Sequence, residues 1–209
     1  MTAPAGPIIF VVDDDASVRK SLGRLIKAAG YEAEAFASVG EFLARRPYDG
    51  PSCLVLDVRM PGLTGLDLQE ALRAAGQRLS IVFITGYRDI PVSVKAMKGG
   101  AVDFLTKPVD EAVLLGAIRQ AVARTQADRR RLARLTEIQE RIKTLTPREA
   151  GVFVLVVTGM LNKQIGSELG IGEKTVKVHR ARVMEKMRAG SLAELVRLAD
   201  IVGVIVPKS

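Results

Sequence analysis

The chain has 209 residues and a composition typical of a globular protein, with 48% hydrophobic and 26% charged side chains. Its single cysteine, Cys53, excludes disulfide bonds and thiolate metal sites and favours a reducing compartment. No apolar stretch approaches the ~20 residues that cross a bilayer, and the amino terminus lacks the basic start of a signal peptide. We therefore expect a cytoplasmic protein with no membrane partner.

The net charge of +8 lies entirely in the second half of the chain. Residues 1–123 contain 14 basic and 14 acidic side chains, which leaves 17 basic and 9 acidic side chains for residues 124–209. The neutral half is typical of a small-ligand module, and the basic half is typical of a polyanion binder. A basic surface kept for solubility explains the charge equally well.

Short apolar runs in the first half predict strands buried on both faces of a parallel sheet, at 8–12, 31–36, 52–57, 81–84 and 101–106. Helical patterns separate them, and several begin at capping residues such as Asp15, Ser38 with Glu41, and Thr64 with Asp67. Five strands alternating with five helices predict a doubly wound α/β fold of about 115 residues.

Four of these predicted strands end on polar side chains, namely Asp13 with Asp14, Asp57, Thr85 and Lys107. The carboxyl ends of parallel strands share one edge of the sheet, where open α/β folds bind ligands. The carboxylates could hold Mg²⁺, and an aspartate can accept a phosphoryl group as an acyl phosphate. Each residue alone is more often a turn, cap or surface residue, so the prediction depends on their joint placement.

Residues 124–143 are rich in Arg, Gln and Glu and contain neither Pro nor Gly. Apolar residues spaced by three and four predict a helix that prolongs the last helix of the first half. The spacing falters between Thr125 and Arg131. We therefore favour a semi-rigid helical linker over a coiled-coil dimer seam.

Start and stop signals divide the second half into four helices. Thr146 to Glu149 combine a cap, a proline at the first helical position and a capping box. Asn162 should cap a second helix that stops at 170–172, Glu173 should begin a basic third helix, and Ser191 should cap the last. In the third helix we expect an inward face of Val176, Val178, Val183 and Met187.

Two helices joined by a tight glycine-containing turn, the second of them basic, indicate a helix-turn-helix. Such a helix can enter the major groove of DNA. A solvated basic face is the alternative from the residues alone.

The first half resembles a response-regulator receiver domain over its whole length, through Val12-Asp13-Asp14-Asp15, Leu56-Asp57-Val58-Arg59-Met60-Pro61-Gly62, Ile84-Thr85-Gly86 and Phe104-Leu105-Thr106-Lys107-Pro108. The resemblance implies that Asp57 is the phosphoacceptor. It implies Mg²⁺ ligation by Asp14 as the main acidic ligand, by Asp13 through water, by Asp57 and by the backbone carbonyl of Arg59. It also implies phosphoryl contacts from Thr85 and Lys107. It also implies that Phe104 stands at an aromatic switch position, where tyrosine is common.

The second half resembles a LuxR-type DNA-binding domain through Thr146-Pro147-Arg148-Glu149, Asn162-Lys163-Gln164-Ile165 and Thr175-Val176-Lys177-Val178-His179-Arg180. The resemblance implies that Lys177 and Val178 face bases, and it implies further DNA contacts, mostly to phosphates, from Lys163, Lys174, Thr175, His179, Arg180 and Arg182. Some relatives have a base-reading lysine where this chain has Ala181, so the recognised sequence is not implied. Together the two halves are similar to the FixJ branch of the NarL/FixJ response regulators.

The expected organisation is a receiver domain over 7–123, a helical linker over 124–143 and a DNA-binding domain over 144–209. A sensor histidine kinase would phosphorylate Asp57 with Mg²⁺ as cofactor, and the altered face would form a homodimer, with Val94, Lys95 and Met97 as candidates. The dimer would bind double-stranded promoter DNA, and RNA polymerase is a further candidate partner.

Three alternatives remain open at this point. Phosphorylation could relieve an inhibitory contact instead of driving dimerisation, or DNA binding could be independent of phosphorylation. A Mg²⁺-dependent phosphohydrolase is the third, although the sequence offers no obvious general acid beside Asp57. We expect a regulator and not an enzyme.

Overall fold

A computed structural model of the chain describes residues 6–77, 79–86 and 90–204. The chain forms two compact units, and the boundary between them lies between Arg129 and Arg130. Within the described ranges, no helix combines the length and the apolar character that a bilayer crossing needs.

The first unit alternates strands with helices along the chain, in the order β1 (Ile8–Val12), α1 (Ala16–Ala28), β2 (Glu32–Phe36), α2 (Val39–Leu43), β3 (Ser52–Asp57), α3 (Gly65–Ala74), β4 (Ser80–Thr85), α4 (Ile90–Lys98), β5 (Asp103–Thr106) and α5 (Glu111–Lys143). All strand pairs are parallel, and the sheet order is β2-β1-β3-β4-β5. The predicted doubly wound, five-stranded parallel sheet is confirmed.

The sheet separates two apolar cores, one on each face. Strands β1, β3 and β4 are buried along their whole length, as expected for central strands covered on both sides. Alternate residues supply opposite faces, so Phe10 and Leu54 pack in one core while Ile9 and Cys53 pack in the other. Complete burial raises the pKa of the Cys53 thiol, which fits a packing role for this side chain.

Local capping fixes the start of several helices where the sequence predicts it. The carboxylate of Asp15 accepts from the backbone N–H groups of Ser17 and Val18, at 2.7 and 3.3 Å. Thr64 and Asp67 form a reciprocal capping box at α3. These bonds satisfy N–H groups that a helix start leaves unpaired, and they fix the residue at which each helix begins.

The second unit is helical and contains, besides the end of α5, the helices α6 (Pro147–Val157), α7 (Asn162–Leu169), α8 (Glu173–Lys186) and α9 (Leu192–Ile201). Thr146 caps α6 through a capping box with Glu149, and Pro147 is the first helical residue, as predicted. Ile138 of α5 is only 1% exposed and belongs to the core of this unit. The carboxyl-terminal part of α5 is therefore packed within the second unit.

Two sequence predictions in the second unit are wrong. Asn162 is the first residue of α7 and not its cap; Leu161 holds the cap position, and its N–H donates to Oε1 of Gln164 at 2.8 Å. Val178 does not face the core, because it is 51% exposed. Two residues along a helix turn the side chain by about 200°, so Val178 cannot share the inward face of Val176.

Candidate functional site

Three carboxylates meet at the carboxyl edge of the sheet. Asp13 and Asp14 follow β1 and Asp57 ends β3, and these two strands are neighbours in register, with Val12 paired to Leu56. One oxygen from each carboxylate lies within 4.8 Å of the other two. Asp13 and Asp57 are buried and Asp14 is exposed, so the cluster is open to solvent on one side.

Lys107 binds two of the three carboxylates. Its Nζ donates to Oδ2 of Asp13 at 2.7 Å and to Oδ2 of Asp57 at 3.2 Å. The backbone holds it in place, since the N–H of Lys107 donates to the carbonyl of Thr85 at 2.7 Å. The peptide bond between Lys107 and Pro108 is cis. Three carboxylates and one ammonium leave two formal negative charges, which match a divalent cation.

Burial and the contacts between Lys107 and the carboxylates shift the pKa values of Asp57 and Lys107 in opposite directions. Burial is the largest influence on the pKa of Asp57 and raises it above its ordinary value, while the charge and hydrogen bond of Lys107 act against the rise. Burial lowers the pKa of Lys107, but its hydrogen bond to Asp13 and the two carboxylate charges outweigh burial, so the pKa lies above its ordinary value. Each group therefore stabilises the charged form of the other.

Two residues that support this cluster are not evident from the sequence. Arg19 of α1 donates from Nη1 to the backbone carbonyl of Asp13 at 2.7 Å. Gly65 donates its N–H to the carbonyl of Val58 at 3.0 Å, and a Cβ at this glycine would lie 2.3 Å from the backbone oxygen of Asp57. Only the position of Gly65, directly after the cap Thr64, could have drawn attention to it.

The remaining predicted receiver residues lie on β4, β5, α4 and the segment after β3. Thr85 ends β4 and is 2% exposed, and Arg59 is exposed after β3. Phe104 of β5 is half-buried, with its ring centroid 6.2 Å from that of Phe83. The predicted dimer-face residues form part of the outward side of α4, where all three are exposed: Val94, Lys95 and Met97.

Helices α7 and α8 form the second candidate site. Gly170 ends α7 in the left-handed conformation, with φ of 65°. A Cβ at Gly166 would lie 2.7 Å from the carbonyl oxygen of Ile171, so a glycine lets the turn pass close to α7. Nη1 of Arg180 donates to Oδ1 of Asn162 at 3.1 Å and links α8 to the start of α7.

The predicted DNA-contacting residues are mostly on the outer surface of this pair of helices. Six of them are exposed: Lys163, Lys174, Thr175, Lys177, Val178 and Arg182. His179 and Arg180 are half-buried. Nδ1 of His179 is buried and has no hydrogen-bond partner among the described residues.

The end of α8 is anchored by a partly buried ion pair that the sequence does not reveal. Nζ of Lys186 donates to Oε2 of Glu149 at 2.6 Å and to the carbonyl of Thr144 at 2.9 Å. The Lys186 hydrogen bond is the main reason why the pKa of Glu149 falls to about 2. Nη1 of Arg141 also donates to the carbonyl of Met187 at 3.1 Å. The start of α6 and the end of α5 therefore fix the orientation of α8.

A doubly wound sheet with a carboxylate cluster at its carboxyl edge, followed by a helix-turn-helix unit, defines a class of two-domain regulators. The family model for the response regulator receiver domain matches residues 9–119, and the model for bacterial regulatory proteins of the luxR family matches residues 143–199. The chain belongs to the two-component response regulators that join a receiver to a LuxR-type DNA-binding domain. This is a family of transcription regulators.

Similar proteins cover nearly the whole chain. Nodulation protein W of Bradyrhizobium diazoefficiens is 48% identical over 94% of this chain and 87% of its own length. The transcriptional regulatory protein FixJ of Azorhizobium caulinodans is 43% identical over 94% of this chain and 93% of its own length. The solved structure of the response regulator StyR is 46% identical, covers 94% of this chain and 99% of its own, and superposes with a TM-score of 0.85.

Proposed function

We propose that phosphorylation of Asp57 by a sensor histidine kinase switches this regulator into its promoter-binding state. The cluster of Asp13, Asp14 and Asp57 with Lys107 is the observation that carries the proposal. In this scheme residues 7–123 receive the signal and 144–209 bind DNA, all within the cytoplasm, where bacterial promoters lie. Residues 124–143 link the two domains, and Ile138 attaches the later part of this linker to the core of the second unit.

The cluster suits acceptance of a phosphoryl group. A carboxylate oxygen of Asp57 would bond to phosphorus as the bond to the histidine nitrogen of the kinase breaks, and the histidine leaves with that electron pair. Asp13, Asp14, Asp57 and the carbonyl of Arg59 would supply the oxygen ligands that Mg²⁺ prefers. When bound, Mg²⁺ neutralises charge on the transferring group. Lys107 would hold a second oxygen of that group, and Thr85 a third.

The switch would follow from the new charge. A phosphoryl group on Asp57 brings a dianion next to Lys107, which now binds the two buried carboxylates. Thr85 and Phe104 would move inward, and the outward side of α4 with Val94, Lys95 and Met97 would become a dimer surface. Converting a 1:99 equilibrium to 99:1 takes about 5.5 kcal/mol of differential stabilisation. Contacts of the phosphoryl dianion with Mg²⁺, Lys107 and Thr85 would supply stabilisation of this order.

Dimerisation would place two copies of α8 on the DNA about one helical turn apart, roughly 34 Å. Lys177 and Val178 would face bases. The phosphate-contacting set would comprise Lys163, Lys174, Thr175, His179, Arg180 and Arg182. RNA polymerase would then contact the DNA-bound dimer at the promoter.

Light scattering on the full chain tests the proposal. Mg²⁺ plus beryllofluoride, a mimic of an acyl phosphate, should shift the molar mass from monomer to dimer, and the Asp57→Asn variant should stay monomeric. Promoter affinity should rise only in the wild-type protein. An Asp57→Asn variant that binds the promoter as tightly as the beryllofluoride-treated wild type would contradict phosphorylation control. A rise in affinity without a dimer would favour release of an inhibitory contact.

A further inference from the structure

The part of α5 that begins the second unit carries three arginines on one side of the helix. Arg130, Arg131 and Arg134 are all exposed. Residues three and four apart are neighbours on a helix surface, so Arg134 lies beside both of the others. We call these three residues the linker arginine face. They lie outside residues 143–199, which the model of the luxR family matches.

The linker arginine face has no ion-pair partner among the described residues. In the same helix, three other basic side chains each bind a carboxylate at 2.6 Å, namely Arg129 with Asp49, Arg141 with Glu137 and Lys143 with Glu140. Like charges three or four positions apart destabilise a helix, whereas opposite charges stabilise it. The stability of α5 therefore does not explain the three arginines, and an anionic partner would relieve their repulsion.

We propose that the linker arginine face binds the phosphate backbone of DNA that flanks the segment contacted by α8. Guanidinium groups bind phosphate through paired, charge-assisted hydrogen bonds. Phosphate contacts carry no sequence information, so the face would hold flanking DNA of any sequence. The inference rests on the proposed function, because it requires DNA to be bound by the second unit. It extends the DNA-binding surface from the helix-turn-helix into the linker.

The contact between α5 and the end of α8 limits how far the face lies from that DNA. Nη1 of Arg141 donates to the carbonyl of Met187, the residue that follows α8. Arg134 precedes Arg141 by about 10 Å along α5, and Lys177 precedes Met187 by about 15 Å along α8. Whatever the directions of the two helices, Arg134 and Lys177 are therefore within roughly 35 Å of each other, the length of about ten base pairs.

The experiment begins with selection of a duplex from a random library by the full chain in the presence of Mg²⁺ and beryllofluoride. Affinity for this duplex, extended by flanks of about 15 base pairs, is then measured from about 50 to 200 mM salt. The triple variant Arg130→Gln, Arg131→Gln and Arg134→Gln should show a less steep loss of affinity with salt. The slope should change by roughly 0.9 for each lost phosphate contact, so up to about 40-fold of the loss over this range should disappear per protomer.

A control variant separates local contacts from net charge. It removes the same charge from three exposed arginines of the first unit, through Arg24→Gln, Arg46→Gln and Arg73→Gln, and should keep the salt slope of the wild type. On the selected duplex without flanks, the wild type and the triple linker variant should have equal slopes. Glutamine is a good helix former, and circular dichroism checks that the linker variant keeps its helix content.

A triple linker variant with the salt slope of the wild type on the flanked duplex would overturn the inference. So would a variant that binds DNA like the wild type but activates transcription less, since the face would then bind a protein. Both results leave the proposed function intact, because the wild type has still selected a specific duplex. If no sequence is enriched, with or without beryllofluoride, the proposed function fails and the inference fails with it.

Discussion

Replacing Gly65 by alanine tests how closely α3 is fitted to the phosphoacceptor strand. A Cβ at this position would lie 2.3 Å from the backbone oxygen of Asp57 and 3.1 Å from side-chain atoms of Leu56 and Phe83. The nearest obstacle is backbone, which cannot rotate away as a side chain can. We expect Gly65→Ala to destabilise the first unit by about 1–3 kcal/mol, the usual cost of overpacking.

The same substitution at Gly23 should change the free energy of unfolding in the opposite direction. Gly23 lies inside α1, and a Cβ there would meet nothing within 4 Å. Removing a helix-interior glycine should stabilise the protein by about 0.5–1 kcal/mol. Urea unfolding of both variants and the wild type measures these differences, with the Gly23→Ala variant as the control for the loss of glycine itself.

Gly65→Ala should also slow phosphorylation. Nζ of Lys107 is 3.2 Å from Oδ2 of Asp57, and a displacement of the strand end would lengthen this contact. Misplacement by 1 Å can cost up to ~10²-fold in rate, so a few tenths of an ångström should give a measurable loss. Phosphorylation by a small phosphodonor reports it. A Gly65→Ala variant as stable as the wild type and phosphorylated at the wild-type rate would refute the close fit.

Three further predictions concern other parts of the chain. The pKa of Glu149 lies at about 2 instead of the ordinary 4.5, so its bond to Lys186 contributes stability above pH 4.5 that is lost as the pH falls towards 2. The Glu149→Gln variant should therefore show a weaker loss of second-unit stability in acid. Equal pH profiles of unfolding for the variant and the wild type would contradict this prediction. Ile138→Ala should destabilise the second unit by about 2–5 kcal/mol, whereas Leu132→Ala, at a 56% exposed position on the same helix, should change it by less than about 0.5 kcal/mol. Mg²⁺ at 100 times its dissociation constant should stabilise the protein by about 2.7 kcal/mol in a thermal unfolding assay, and Asp14→Asn should lose most of that gain.

Much of the first unit could be predicted because its signals are local. Strands β1, β3 and β4 are continuous apolar runs, and the caps Asp15 and Thr64 depend on residues only a few positions away. The strand ends that carry Asp13 and Asp57 follow from the same runs. The weaker β5 begins at Asp103, two residues later than the apolar pattern suggests, because parallel pairing with β4 begins at that residue.

The second unit shows where local patterns fail. The spacing of Val178 from Val176 looks acceptable in a list of apolar residues, but helix geometry sends the two side chains to opposite sides. Asn162 is a good cap by residue type, yet its side chain accepts from Arg180, and Gln164 bonds the cap N–H instead. The partner of Asn162, Arg180, lies 18 positions away and outside any local pattern, whereas the error at Val178 is corrected by the helical period alone.

The sequence by itself determined the order of strands and helices along the chain, most helix starts and the residue types at the sheet edge, since these follow from periodicity and short-range hydrogen bonding. Only the tertiary structure decided that Lys107 binds both Asp13 and Asp57, since Lys107 and Asp13 are 94 positions apart. It likewise decided that Glu149 pairs with Lys186 and that Ile138 packs in the second core. Such contacts depend on how distant segments come together, which no local pattern specifies.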